Sequence, residues 1–582
     1  MFSRVARKIL IQERCRSSKH FLNRRGFSSS CRRDKQEGRI LKGPGNIELP
    51  KTTIPDFVFS HCEKFPDLVC SECPITKKKY TFRQVRDRSK NLGKVLRKKF
   101  GLNRGDAVLI FLPNLPEFQI TTLGCMTAGL VVSTANCLYT ADEISRQIVD
   151  SSSKLIITTV ESYEVARKSV EKAQKRIPII CIRTRQDQLL PRDAIDFEEV
   201  STTVLDIPDL EPSDPEDVAV LPYSSGTTGL PKGVRLSHHN IVSNLMQMND
   251  SYSKLIRNVE GNEQDVTLAV LPMFHIYGFT ITTLFMMIKG SKVLPLQRFS
   301  PDTYIQSLKE YNVDYLFLAP PLVLFLTLHP DVLPEYLKKL RFAFSGAAPL
   351  GPLDEEKFLD KVGRHVLLVQ AYGLTETSPL VAANTRFVGE DLRDVSQGSI
   401  GHVVANTEAK IVKPGDPTAT PLGALESGEL LVRGPQVMQG YHNNQKATDE
   451  ILQDGWLRTG DLAHYNERDF IFITDRVKEL IKVKGFQVAP AELEELLRDH
   501  PKVADAAVIG IPDMVSGELP RAYIQLKENT NTDDINRFLN DKVAKYKRLE
   551  GGIEFVKEIP KNSAGKILRR QLKERYLQEQ QA

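Results

Sequence analysis

The sequence predicts an α/β chain: a large N-terminal domain of two αβ units plus a small β-barrel, then a small α+β C-terminal domain. Three observations predict it. Short apolar runs alternate with amphipathic runs of helical period, the pattern of a mostly parallel sheet covered by helices. From Ser399 the apolar runs shorten and turn residues crowd between them. After Asp475 the chain changes again, to a Lys-dense stretch and a helix-rich tail. The 582 residues suffice for several domain-sized units and a large core.

Taken in order, residues 34–56 are polar and punctuated by Pro and Gly, a linker and a first strand. Residues 85–99 and 141–151 carry apolar side chains on one helical face. Runs at 108–112, 155–159, 179–182 and 218–222 are strand-like, and the pattern returns at 267–271, 315–318 and 341–345 as a second αβ unit. Residues 408–412 and 429–433 are the short strands of the barrel. The most apolar stretches, 271–288 and 316–328, contain His275 or prolines and read as buried core, not as membrane spans. The expected domains are 1–33, 34–475 and 476–582.

The net charge of +6 is unevenly spread: residues 1–33 hold ten Lys/Arg and one acid, so the rest of the chain carries −3. The body shows no basic excess of the kind that binds nucleic acid. The first 33 residues are Arg-rich, Ser-rich and acid-poor, and residues 1–11 set Phe2, Val5, Ile9 and Leu10 opposite Arg4, Arg7 and Lys8 on a helix. This is the composition of a mitochondrial transit peptide, which implies the import machinery as a partner and the matrix as destination. The alternative is a basic arm on a cytoplasmic protein. Eight cysteines, none after Cys181, do not form a disulfide framework. Cys70 and Cys73 make a lone C-x-x-C with no second pair at zinc spacing, so they read as strand thiols.

The sharpest local feature is Tyr223-Ser-Ser-Gly-Thr-Thr-Gly-Leu-Pro-Lys-Gly-Val234. Hydroxyls and free backbone N–H groups crowd at the end of an apolar strand and can wrap an anion. Lys232 adds a point charge for phosphate. The spacing is not that of the P-loop, because no Ser or Thr follows Lys232. A flexible surface turn does not explain why glycines and hydroxyls coincide there.

Six further motifs follow in order: Pro272-Met-Phe-His-Ile-Tyr277, Ser345-Gly-Ala-Ala-Pro349, Gln370-Ala-Tyr-Gly-Leu-Thr-Glu376, Thr459-Gly-Asp461, the segment 475–487, and Pro560-Lys-Asn-Ser-Ala-Gly-Lys566. The set resembles the adenylate-forming superfamily of acyl-CoA synthetases, 4-coumarate–CoA ligases, beetle luciferases and peptide-synthetase adenylation domains. The resemblance implies a carboxylic acid, ATP and CoA as substrates, with Mg²⁺. Acid attacks the α-phosphate to give an acyl-adenylate, and the CoA thiol then attacks that adenylate. Both reactants of the first step are anions, so positive charge must be gathered around them.

The resemblance assigns roles by position. Ser224, Ser225, Gly226, Thr227, Thr228, Gly229 and Lys232 hold phosphates. Glu376 holds Mg²⁺, with Thr375 beside it, and Asp461 and Arg476 hold the ribose. Tyr372 stacks on adenine, with Gly346, Ala347, Gln370, Ala371 and Gly373 along its edges. Lys566 meets the carboxylate and α-phosphate. The small domain is mobile between the two steps: Lys478 is its hinge, Lys482 and Gln487 serve the thioester step, Lys484 and Gly485 line the CoA tunnel, Arg298 meets CoA phosphates, and His275 gates the tunnel. Singly, each residue has a plainer reading: Asp461 in a turn, Glu376 at a helix start, Tyr372 in the core, the lysines on solvated faces.

The acid pocket falls to Tyr277, Gly278, Ile281, Leu380 and Val381. Hydroxycinnamate ligases carry a polar residue six positions after the gating His, where this chain has Ile281. Beetle luciferases carry Arg where this chain has Asn244. These departures favour a medium-chain fatty or simple aryl acid. The alternatives are a 4-coumarate–CoA ligase-like or luciferase-like enzyme, or a non-catalytic adenylate-binding protein.

Overall fold

The computed structural model describes residues 38–224, 231–252, 256–348, 350–384, 398–416, 420–476, 479–483, 486–513, 516–540, 542–543, 545–562 and 565–581. Residues 1–33, where the import signal is expected, lie outside them, as do Ser225, Gly226, Thr227, Thr228, Gly229, Lys478, Lys484 and Gly485. The side chains of Arg476 and Gln487 are likewise outside, although both residues sit in strands.

Four sheets organise the described residues. The first centres on Ala107–Phe111, flanked in parallel by Val131–Thr134 and Leu155–Thr159, with Ile179–Ile182 beyond. Helix Glu117–Thr127 packs on it, and helix Phe82–Lys98 packs on that helix and begins earlier than the periodicity suggests. Its start is a capping box: Thr81 Oγ accepts the Gln84 N–H at 3.2 Å, and Gln84 Oε1 accepts the Thr81 N–H at 2.9 Å. The second sheet runs Val266–Ala269, Tyr315–Leu318, Phe342–Ser345 and Leu367–Gly373 in parallel, and then adds Leu380–Ala383 antiparallel. Where a small barrel is expected, six strands form an antiparallel sheet built on Glu408–Val412, Gly428–Arg433 and Trp456–Tyr465.

The first apolar stretch is core, as expected; of the second, residues 316–319 with Val323 and Leu326 are buried, whereas the rest of helix Pro320–Leu328 is half-buried and Leu328 is exposed. Within the first, Gly278–Phe285 forms a π-helix with all eight residues buried. Such wide turns recur beside functional sites. Cys70 and Cys73 are free, buried thiols in and after strand Val69–Glu72.

The fourth sheet uses only residues after Asp475. The tail expected to be helix-rich contains the long strands Val503–Asp513 and Gly517–Leu526, paired antiparallel over their full length. Small alanines at 504, 506, 507 and 522 weaken the alternating apolar signal that marks a strand. This small domain touches the large one at two glycines. A Cβ on Gly565 would stand 2.9 Å from Pro321 Cγ, and one on Gly351 would stand 2.2 Å from Glu495 Oε1. Both are close approaches that a larger residue would open.

Candidate active site

A cavity of about 1450 Å³ lies between the ends of the second sheet and the small domain. Its first wall is the phosphate-loop hairpin. Strand Tyr223–Ser224 pairs with Lys232–Ser237 so that Ser224 stands across from Lys232, and both line the cavity. Strand Gly440–Tyr441 pairs on the hairpin's other side, Val234 opposite Tyr441. That placement brings the Lys232 ammonium to 4.9 Å from the Tyr441 ring centre.

Glu376 faces this hairpin. Its Oε1 accepts from Ser224 Oγ at 3.1 Å and from the Tyr441 hydroxyl at 2.9 Å. The short turn Thr375–Thr377 holds Glu376 there, and Met438 N–H donates to its carbonyl at 2.9 Å. Among the described residues no group of three His, Cys, Asp or Glu could hold a metal alone. One oriented carboxylate suits Mg²⁺, which typically takes one or two carboxylates and completes its shell with substrate phosphates and water.

Gly346 and Ala347 line the next wall, after strand Phe342–Ser345, with Ala347 in the left-handed region at φ 73°. Ala371, Tyr372 and Gly373 line it too. The Tyr372 hydroxyl donates to Asp461 Oδ2 at 2.5 Å, and Asp461 pairs across its sheet with Arg476. The side chain of Gln370 does not reach the cavity. It accepts from Leu350 N–H at 3.2 Å and donates to Leu350 O at 3.0 Å and to Glu355 Oε2 at 3.2 Å, so it braces the loop behind the wall.

Burial pushes the Glu355 carboxyl up from 4.5 to about 7. The folded chain therefore keeps a proton that the unfolded chain releases. The associated stability is full below pH 4.5 and is lost as pH rises to about 7. Glu355→Gln is expected to match the parent near pH 4.5 and to exceed it at about pH 8, by on the order of 3–4 kcal/mol at ~1.4 kcal/mol per pKa unit. Denaturant titrations at both pH values check this, and parallel stabilities across the range would refute it.

His275, Tyr277, Ile281 and Leu380 line the remaining wall with Phe274, Ile276 and Phe344. His275 Nδ1 accepts the Tyr277 N–H at 3.3 Å, and burial pushes its imidazole down to about 4. It is therefore neutral at physiological pH, and any gating it performs is a rotation without a change of charge. Gly278 opens the π-helix behind this wall. Val381 is fully buried and does not line the cavity.

From the small domain, Lys566 reaches the cavity with Lys561, Asn562 and Arg569. Lys566 N–H donates to Asn562 Oδ1 at 2.9 Å, which closes the loop that carries it. Lys482 is exposed and outside the cavity, and so is Arg298. Sequence reasoning missed Tyr441 and Asn562. The signal for Asn562 was its place in the lysine motif, whereas Tyr441 is found only through strand pairing.

The fold and this site define an enzyme that activates acids with a nucleotide. The AMP-binding enzyme family profile matches residues 58–442, and that of the AMP-binding enzyme C-terminal domain matches residues 492–566. The chain belongs to the AMP-binding enzyme family, as an AMP-forming acid–CoA ligase using ATP, CoA and Mg²⁺. It is 36% identical over 543 residues to a probable 4-coumarate–CoA ligase of Dictyostelium discoideum, covering 91% of this chain and 96% of that one. To a 4-coumarate–CoA ligase of Oryza sativa subsp. japonica it is 37% identical over 535 residues, covering 91% and 93%. Among solved structures it resembles o-succinylbenzoate CoA synthetase of Bacillus subtilis in complex with its acyl-adenylate intermediate, with TM-score 0.74, 26% identity and coverage of 90% and 99%.

Proposed function

We propose that the acid is an apolar one without a phenolic hydroxyl, of medium-chain fatty or simple aryl type. The observation that carries this reading is the state of the hydroxyls in the gate segment. Tyr277 OH donates to Leu318 O at 3.2 Å and Phe344 O at 3.4 Å, and Thr280 OH donates to Ser378 O at 2.8 Å. Both are committed to backbone carbonyls, and the neighbouring wall is Phe274, Ile276, Ile281, Phe344 and Leu380. A phenol buried there would exchange water for apolar contacts, a cost of roughly 1–3 kcal/mol for an unpaired polar group.

In this reading Lys232 and the Ser224 hydroxyl hold the triphosphate. Bound Mg²⁺ would neutralise phosphate charge, and Glu376 is the residue that holds it. Asp461, oriented by Tyr372, accepts the ribose hydroxyls. Lys566 draws the acid carboxylate and the α-phosphate together. Product adenylate then awaits the CoA thiol.

The second reading, a 4-coumarate–CoA ligase-like enzyme, is favoured by the names of the relatives. A pyrophosphate-release panel of octanoate, benzoate and 4-coumarate with CoA separates the two. Octanoate-sized or simple aryl acids are expected to exceed 4-coumarate in kcat/KM by roughly tenfold. A clear preference for 4-coumarate would establish the second reading.

A further inference from the structure

We infer that Asn244 sets the depth of the acid pocket, as a positioning residue acting through Leu380. Asn244 is fully buried on helix His238–Tyr252 and does not line the cavity. Both ends of its carboxamide meet one residue: Oδ1 accepts Leu380 N–H at 3.0 Å, and Nδ2 donates to Leu380 O at 2.9 Å. The reason lies in the sheet. Strand Leu380–Ala383 pairs with His402–Val403 at Ala382 and Ala383, and Val404 N–H reaches Val381 O at 2.9 Å. Beyond that point the neighbouring chain turns away, and Ala405 O is taken by Gln247 Nε2 at 2.8 Å.

Leu380 would then have no strand partner on that side. The Asn244 carboxamide supplies the donor and acceptor of the missing peptide, as an antiparallel neighbour would. On the other side Leu380 pairs with Gly373 across an irregularity next to Tyr372. The backbone of this wall residue is thus fixed on one side by a bulge and on the other by side chains: Asn244 at both its N–H and its carbonyl, and Gln436 Nε2, which reaches the same carbonyl at 3.4 Å. Gln247 in turn orients Asn244, accepting from its Nδ2 at 2.9 Å and donating to Gln436 Oε1 at 3.1 Å. Because Asn244 alone meets the Leu380 N–H and makes the shorter bond to its carbonyl, one substitution can move this wall while leaving the sheet and the nucleotide wall in place.

The inference rests on the acid–CoA ligase reading, and the wild-type enzyme is assayed alongside. Asn244→Ala is expected to raise KM for the best acid roughly tenfold, the scale of losing a buried two-bond amide. KM for ATP and kcat should stay within about twofold, and preference should move toward bulkier acids. Leu380→Ala should produce the same shift, and the double variant no more than the Leu380→Ala single. Asn244→Asp, which keeps the acceptor for Leu380 N–H but sets a carboxylate oxygen against Leu380 O and Gln247 Oε1, should lose at least as much as Asn244→Ala. Equal rises in KM for acid and ATP, or multiplying effects in the double variant, would overturn the inference. So would failure of both Asn244 variants to fold, since the amide would then be scaffold alone. An inactive wild type would remove the reading and the inference together, whereas active variants of unchanged acid preference remove only the inference.

Discussion

Lys566→Ala is expected to lower acyl-adenylate formation by roughly 10²–10³-fold, the usual cost of removing one preorganised electrostatic group. Lys566 is held in the cavity by a loop closed on Asn562, and the two reactants it meets are both anions. Thioester formation from supplied acyl-adenylate should remain largely intact. Lys482 gives the converse test. It is exposed and does not line the cavity, its backbone N–H donating to Glu518 Oε2 at 2.8 Å. If the small domain turns between steps, Lys482→Ala slows CoA use and lets acyl-adenylate accumulate. Single-turnover assays with acid plus ATP, then with acyl-adenylate plus CoA, measure each step. Loss of the same step in both variants would show that no turn separates them.

Arg569→Met is expected to destabilise the small domain by roughly 3–5 kcal/mol, the cost of breaking a buried ion pair by removing one partner. The Arg569 guanidinium donates to Glu479 at 2.6 Å and to both oxygens of Glu494 at 2.7 and 2.8 Å. The side chains are 12%, 17% and 4% exposed, so water replaces little of what is lost. Glu494 also accepts Val508 N–H at 2.8 Å, which ties the last helix, helix Pro490–Arg498 and the long hairpin into one body. Arg569→Lys should recover less than half, because an ammonium cannot reach both carboxylates with a planar fork. Urea unfolding followed by small-domain fluorescence labels measures the loss, and an unchanged midpoint for Arg569→Met would refute the account.

Much of the fold was legible because buried parallel strands are short continuous apolar runs. Residues 155–159, 179–182, 315–318 and 408–412 coincide with strands Leu155–Thr159, Ile179–Ile182, Tyr315–Leu318 and Glu408–Val412. The Val503–Asp513 hairpin was missed because its interior is filled by small alanines, whose burial leaves no strong apolar mark. In the site, loops were legible wherever the chemistry needs a residue type: hydroxyls and glycines near Ser224, a carboxylate at Glu376, a lysine at 566. What sequence could not show is which side chains turn away. Gln370 braces Leu350 and meets Glu355, on helix Pro352–Val362 behind the wall. Asn244 was legible only as the absence of an arginine; its bond to Leu380 spans 136 positions and exists only once the second sheet is assembled.

The two glycine contacts between the domains bear on the reach of Lys566. At Gly565 the small domain rests backbone against the Pro321 ring, and at Gly351 the large domain offers bare backbone to Glu495. Each point keeps the two bodies close only because one of them carries no side chain there. A side chain at either glycine would hold the bodies apart, and Lys566, one residue from Gly565, would be drawn back from the cavity with its loop.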